Sequence, residues 1–221
     1  MNDDISLKGK RILITAGSTW IPIDTVRVIT NIFKGKIGLT IAESAAKMEA
    51  RVTLLLGPSL DISNSKFSEN LQIVRFKYFD DLDSLITKNL TEQEFDTVIH
   101  SAAVSDFRLA KPYDGKIKSN VEKLILELVP TKKIIDGIRK LAPKAFLVKF
   151  KLEVGITPEK LMKVAMDSLM QSKADLIVAN IYDPKFTDHE AYIIDVDGGS
   201  RKVTGREAIA GEILKSIHDR K

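Results

Sequence analysis

The chain has 221 residues, 44% hydrophobic and 29% charged, a balance typical of globular proteins and enough for one large α/β domain. Its 34 Lys and Arg against 30 Asp and Glu give a formal net charge of +4, which suits anionic small molecules and is too small for a nucleic-acid surface. There is no cysteine, which excludes disulfides, zinc–thiolate sites and cysteine nucleophiles.

Short β-branched runs alternate with longer amphipathic stretches, the pattern of a parallel sheet covered by helices. Arg11–Thr15 reads as a first strand buried on both faces, followed by a glycine-containing loop, Ala16–Asp24. Lys36–Glu49 has helical periodicity through Ile37, Ile41, Ala45 and Met48, and Arg51–Leu56 is a second strand ended by Gly57-Pro58. Leu71–Phe76 (strand), Asp80–Asn89 (helix) and Thr97–Ser101 (strand) repeat the scheme. A long irregular stretch, Ala102–Asn120, comes next, and a connection of that length inside a compact domain is usually functional or mobile.

Leu124–Val129 and Ala145–Phe150 read as strands around a helix at Lys132–Leu141. Pro158–Lys173 is a helix with Thr157 as its cap and proline at its first position. Asp175–Ala179 is a buried strand, Ala191–Val196 and Arg201–Thr204 form a hairpin around Asp197-Gly198-Gly199, and Arg206–His218 is a closing helix. The expected fold is α/β: a Rossmann-like parallel sheet with helices on both faces and a small late hairpin extension. With no repeat or linker, one domain over residues 1–221 is expected. The three histidines, His100, His189 and His218, are too far apart for a paired-histidine metal motif. No apolar run approaches the ~20 residues that span a bilayer. The start, Met1-Asn2-Asp3-Asp4, is not that of a signal peptide. A cytoplasmic protein without membrane or nucleic-acid partners is expected.

In open parallel sheets, ligands bind beyond the carboxyl ends of the strands, near the point where strand order reverses. The loops 16–38, 101–120 and 150–157 meet that description. In the first, Gly17, Gly35 and Gly38 allow backbone amides close to an anion, and the helix beginning near Lys36 adds its positive end. A dinucleotide-binding enzyme would show a denser glycine set, yet only Gly17 lies between Thr15 and Lys34, and Leu54-Leu55-Leu56-Gly57 offers no acid for a ribose. In the second loop, Asp106 precedes Arg108, Lys111, Lys116 and Lys118, a set that can hold a magnesium–triphosphate. On spacing alone, a solvated charged loop explains that stretch better. Phe150 as a core aromatic and Asn180 as a turn residue are also adequate readings by themselves.

Four segments resemble the phosphopantothenoylcysteine synthetase family. They are Ile14–Thr19 continuing through Pro22-Ile23-Asp24, Val26-Arg27, Asn31 and Gly35–Gly38; Ser101–Phe107 with Lys116-Ile117-Lys118; Phe150–Glu153; and Ala174–Asn180. Their order and spacing match along nearly the whole chain. The resemblance implies a ligase that joins 4′-phosphopantothenate to L-cysteine through an acyl-nucleotide, using CTP or ATP with Mg2+. It implies a monofunctional form without the flavin-dependent decarboxylase domain, hence no flavin, and a homodimer that meets through the late strands. It assigns Lys116 to the activation step, and Asn31 with Arg27 to the attack by cysteine. Gly35, Gly38, Ser101, Ala102, Asp106, Lys116, Phe150 and Asn180 correspond to nucleotide-binding positions, with Asp106 at the metal. Gly17, Asn31 and Ala103 lie towards the phosphopantothenate.

The chain departs from the family pattern at three places. Phe33-Lys34 stands where two serines are usual, Val129-Pro130-Thr131 replaces an Asn-Pro-Asp segment of CTP-using forms, and Ser168 and Ser172 fall near positions where bacterial forms carry lysines. Two other readings stand beside the ligase: a nicotinamide-dependent reductase on the same general fold, and a non-catalytic nucleotide-binding member of the family.

Overall fold

The computed structural model describes residues 5–120, 122–185 and 189–220; the acidic start, Met1–Asp4, lies outside them. Its centre is an eight-stranded sheet. In chain order the strands of this sheet are β1 (Arg11–Ala16), β4 (Arg51–Leu56), β5 (Leu71–Arg75), β6 (Thr97–His100), β9 (Phe146–Glu153), β10 (Leu176–Ile181), β11 (Glu190–Asp195) and β12 (Ser200–Thr204). Their spatial order is β12-β11-β10-β9-β6-β1-β4-β5, with β10 through β5 parallel and β11 and β12 antiparallel. The chain runs outward from β1 to β5, returns to β6 and then builds in the other direction. The reversal therefore falls between β1 and β6, the position at which open sheets of this kind form their ligand crevice, at the carboxyl ends of the strands.

Alternation along the strands divides the core in two. Ile12, Ile14, Ile99, Val148 and Val178 face α1 (Lys36–Lys47) and α5 (Arg206–His218). Leu13, Val98, Leu147 and Ile177 face α2 (Phe79–Glu92), α3 (Ile134–Leu141) and α4 (Pro158–Ser172). Burial on both faces explains why the central strands are nearly continuous apolar runs. Two helices begin where a side chain satisfies a free amide: Asp81 accepts from the backbone of Tyr78 at 2.9 Å before α2, and Thr157 accepts from Lys160 at 3.4 Å before α4, with Pro158 in the first turn.

The structure modifies the expected elements in two loops. The stretch 16–24 leads into a small hairpin of β2 (Trp20–Pro22) and β3 (Val28–Thr30), and the long loop after β6 contains β7 (Phe107–Leu109), which pairs with β8 (Leu128–Pro130). The strand expected at Leu124–Val129 is reduced to β8, because Leu124, Ile125 and Leu128 remain exposed and have no sheet to pack on. These two-stranded ribbons have no apolar periodicity long enough to identify them in sequence.

One polar clamp joins both halves of the second core. Asp175 accepts from Leu147 N at 2.8 Å and from Arg139 Nη2 at 2.6 Å, while Arg139 Nη1 donates to the carbonyls of Pro143 and Ala145, each at 3.0 Å. Asp175→Ala leaves a half-buried guanidinium without its counter-charge and should destabilise the fold by about 2 kcal/mol. An unchanged urea midpoint would show that the clamp contributes nothing.

Candidate active site

The crevice is built on a contact between two backbones. Gly35, the residue before α1, has φ +91°, and a Cβ there would lie 2.4 Å from Gly17 N and 2.7 Å from Gly17 Cα. Gly17 (φ +84°) packs in turn against Gly57 at the end of β4, where a Cβ on Gly57 would lie 2.8 Å from Ser18 O. In the first turn of α1, a Cβ on Gly38 would meet Ala16 Cβ at 2.4 Å and Ser101 Oγ at 2.6 Å. Side chains are absent at these points because the helix start has to lie directly on the end of β1.

The ends of β1 and β6 are then stitched together. Ser101 donates from N (3.1 Å) and Oγ (2.7 Å) to Thr15 O, Ala102 N donates to Thr15 Oγ1 at 3.3 Å, and Ala103 N donates to Gly17 O at 2.9 Å. Asn31, at the exit of the β2–β3 hairpin, donates from Nδ2 to Ala103 O at 3.0 Å. The structure thus brings Gly17, Asn31, Gly35, Gly38, Ser101, Ala102 and Ala103 to one place from three separate segments.

The remaining expected residues arrive by other routes. Phe150 and Asn180 lie on neighbouring strands, with Val178 opposite Phe150 and Asn180 opposite Leu152, so both face the α1 side of the sheet. Phe150 also packs against that core. Asp106 is exposed and ion-paired to Lys133 Nζ at 2.5 Å, and its carbonyl accepts from Thr131 N at 2.9 Å. Among the described residues no group of three or more His, Cys, Asp or Glu side chains forms a cage for a metal. Asp106 thus offers a single exposed carboxylate, shared with Lys133, and one carboxylate fits only an ion that keeps most of its waters. Lys116 is exposed on the 110–120 segment, and Arg27 is paired with the carboxylate of Asp24.

Four residues to which the sequence assigned no role stand in or beside the site: Tyr182, Asp24, His100 and Lys149. Tyr182, just beyond β10, meets Phe33 edge-to-face with ring centroids 5.3 Å apart, which gives Phe33 a partner across the crevice where the family pattern has a serine. Asp24 is buried at the root of the hairpin. His100 is held through Nδ1, 2.8 Å from Thr15 Oγ1, in a bond whose direction follows the ring's tautomer. Lys149, the register partner of His100, sends its ammonium to Ser168 Oγ at 2.8 Å and Ser172 Oγ at 3.1 Å. Burial and then the nearby Lys149 charge bring the His100 pKa down from 6.5 to about 4, and burial also lowers that of Lys149.

A family model described as "DNA/pantothenate metabolism flavoprotein C-terminal domain" matches residues 7–220. The chain belongs to this family. It is 43% identical over 175 residues to the coenzyme A biosynthesis bifunctional protein CoaBC of Thermococcus kodakarensis; the match covers 79% of this chain and 42% of that relative, so the chain spans about two fifths of its length. Among solved structures, the DNA/pantothenate metabolism flavoprotein from Streptococcus pneumoniae superimposes with a TM-score of 0.85 at 28% identity, over 94% of this chain and 98% of that one. The C-terminal domain of a CoaBC protein gives a TM-score of 0.77 at 29% identity, over 96% and 95%. The α/β Rossmann-like fold expected from the sequence is thus the fold of this flavoprotein C-terminal domain family. No helix among the described residues is long and apolar enough to cross a membrane.

Two outcomes follow from the packing. Gly35→Ala places a Cβ inside the Gly17 backbone at a left-handed φ and should lower the melting temperature by the equivalent of more than about 2 kcal/mol; a variant that melts like the wild type would contradict the close approach. For His100, the folded pKa lies below the unfolded one. The folded state therefore binds fewer protons between pH 6.5 and 4, and stability present above pH 6.5 is lost as the pH falls through this window. The slope is bounded at about 1.4 kcal/mol per pH unit for one proton. His100→Asn should flatten the loss between pH 6.5 and 5, as read by thermal melts across that range.

Proposed function

We propose that this chain is a nucleotide-dependent ligase that joins 4′-phosphopantothenate to the amine of L-cysteine in coenzyme A biosynthesis. The observation that carries the reading is the convergence of Gly17, Asn31, Gly35, Gly38 and Ser101–Ala103 on the strand-order reversal, in a family whose relatives are named for coenzyme A biosynthesis. The start of α1, with free amides and no acidic residue in its first turn, suits an anion.

In the first step a carboxylate oxygen of phosphopantothenate attacks the α-phosphorus of the triphosphate, and pyrophosphate leaves. Lys116 neutralises charge that builds on the triphosphate and the departing pyrophosphate. In the second step the cysteine nitrogen attacks the acyl carbon, the nucleoside monophosphate leaves, and the ammonium proton passes to solvent. Asn31 holds the acyl-nucleotide by hydrogen bonding, since its amide does no proton chemistry, and Arg27 supports it. Ser101, Ala102, Gly35, Gly38, Phe150 and Asn180 line the nucleotide, with Gly17 and Ala103 towards phosphopantothenate. Magnesium held by Asp106 would supply charge neutralisation on the triphosphate. Amide formation changes no oxidation state, so the reading routes nothing through a flavin. CTP and ATP are the candidate triphosphates. A homodimer through β11 and β12 is part of the same reading, supported by the position of β12 at the outer edge of the sheet among the described residues.

Pyrophosphate release with CTP, ATP, GTP and UTP, in the presence of both co-substrates, tests the proposal. Lys116→Gln should abolish acyl-nucleotide formation. Asn31→Asp should still release pyrophosphate yet slow amide formation, and equal loss of both half-reactions would refute the division of labour.

A further inference from the structure

Lys116 sits in an exposed segment without regular structure, and a flexible side chain on a flexible loop is a poor electrostatic catalyst unless its backbone is fixed. The structure fixes it from both sides. The carbonyl of Gly115, before Lys116, accepts from Thr25 N at 3.3 Å, and the amide of Ile117, after it, donates to Asp24 Oδ2 at 3.0 Å. These two peptide groups bracket the Lys116 Cα, so together they set the direction in which its side chain leaves the backbone. Tyr113 N to Ile23 O at 3.0 Å and Arg27 Nη1 to Ile117 O at 3.4 Å extend the same seam.

Asp24 is built for this. Its side chain is inaccessible, although the residues that follow it, Thr25 to Val28, are exposed. Oδ1 accepts from Val26 N at 2.9 Å and Arg27 N at 2.8 Å, and Oδ2 accepts from Ile117 N and from the Arg27 guanidinium. Val26 and Arg27 close a local Asx-type turn, while Ile117 is the distant partner, ninety-three positions along the chain.

We infer that Asp24 is a positioning residue of the ligase, docking the 113–118 segment so that Lys116 points at the triphosphate while the same carboxylate holds Arg27. The inference rests on the role proposed above for Lys116. Burial pushes the Asp24 carboxyl up, but the backbone amides of Val26, Ile117 and Arg27 and the Arg27 charge outweigh it and bring its pKa down to about 2. The anchor therefore stays anionic throughout the neutral range.

The test uses the full chain and two independent readouts. The first is the trypsin cut after Lys116, whose scissile bond carries the Ile117 amide that Asp24 holds. In Asp24→Asn this cleavage should accelerate by about tenfold or more, and by a larger factor than cleavage after lysines outside the 113–118 segment, which separates local release from any general loss of stability. The second is the single-turnover rate of pyrophosphate release without cysteine, which should fall by about 100-fold at saturating phosphopantothenate, more than any change in the phosphopantothenate concentration that gives half that rate. Asp24→Glu should recover part of both. Wild-type cleavage or a wild-type single-turnover rate in Asp24→Asn would overturn the positioning role alone. A wild-type chain that releases no pyrophosphate from any triphosphate overturns the ligase reading, and with it the role of Lys116, whatever trypsin shows.

Discussion

The site depends on how closely the start of α1 approaches the end of β1. Gly35 against Gly17, and Gly38 against Ala16 and Ser101, leave no room for a single methyl group. That contact brings the free amides of the helix start to the strand-order reversal, and it fixes the direction in which the chain enters from the β2–β3 hairpin. Asn31 reaches Ala103, and Phe33 reaches Tyr182, because the segment ending at Gly35 has no freedom to lie elsewhere. A longer side chain at either glycine would move the helix away and separate every group that converges there.

The hairpin is the second structural layer of the site. It carries Asn31 at one end and Arg27 at its turn, and through Asp24 it supports the 113–118 segment, distant in the chain. Most of the lysines and arginines near the crevice stand on exposed loops, where attraction to a ligand is screened and side-chain entropy is high. Fixing their backbones is the means available to make such charges specific. Three backbone amides on one buried carboxylate do this without placing any further side chain in the crevice.

Legibility differed from residue to residue for physical reasons. The strands β1, β4, β6 and β10 were readable because burial on both faces leaves continuous apolar runs, and Thr157-Pro158 marked the start of α4 by local chemistry. The ribbons β2–β3 and β7–β8 were not, since three-residue strands carry no periodicity. Gly17, Gly35 and Gly38 were visible as glycines, but Gly57 appeared only as the end of a strand, and its contact with Ser18 depends on β4 lying beside β1. The Asx turn at Asp24 was legible in principle from Asp-Thr-Val-Arg, whereas its bond to Ile117 was not. Phe33 looked anomalous in the chain and has an ordinary aromatic partner in the fold.

By itself the sequence determined the class of fold, the run of core strands and helices, and the residue types that converge on the site, because these follow from local burial patterns, turn chemistry and the motif set. It also determined the family, which the match over residues 7–220 bears out. Only the tertiary structure decided which of those residues touch. Asp24 with Ile117, Asn31 with Ala103, Thr15 with His100 and Phe33 with Tyr182 are pairs brought together by strand order and register, and no local propensity encodes the identity of a partner so far away along the chain.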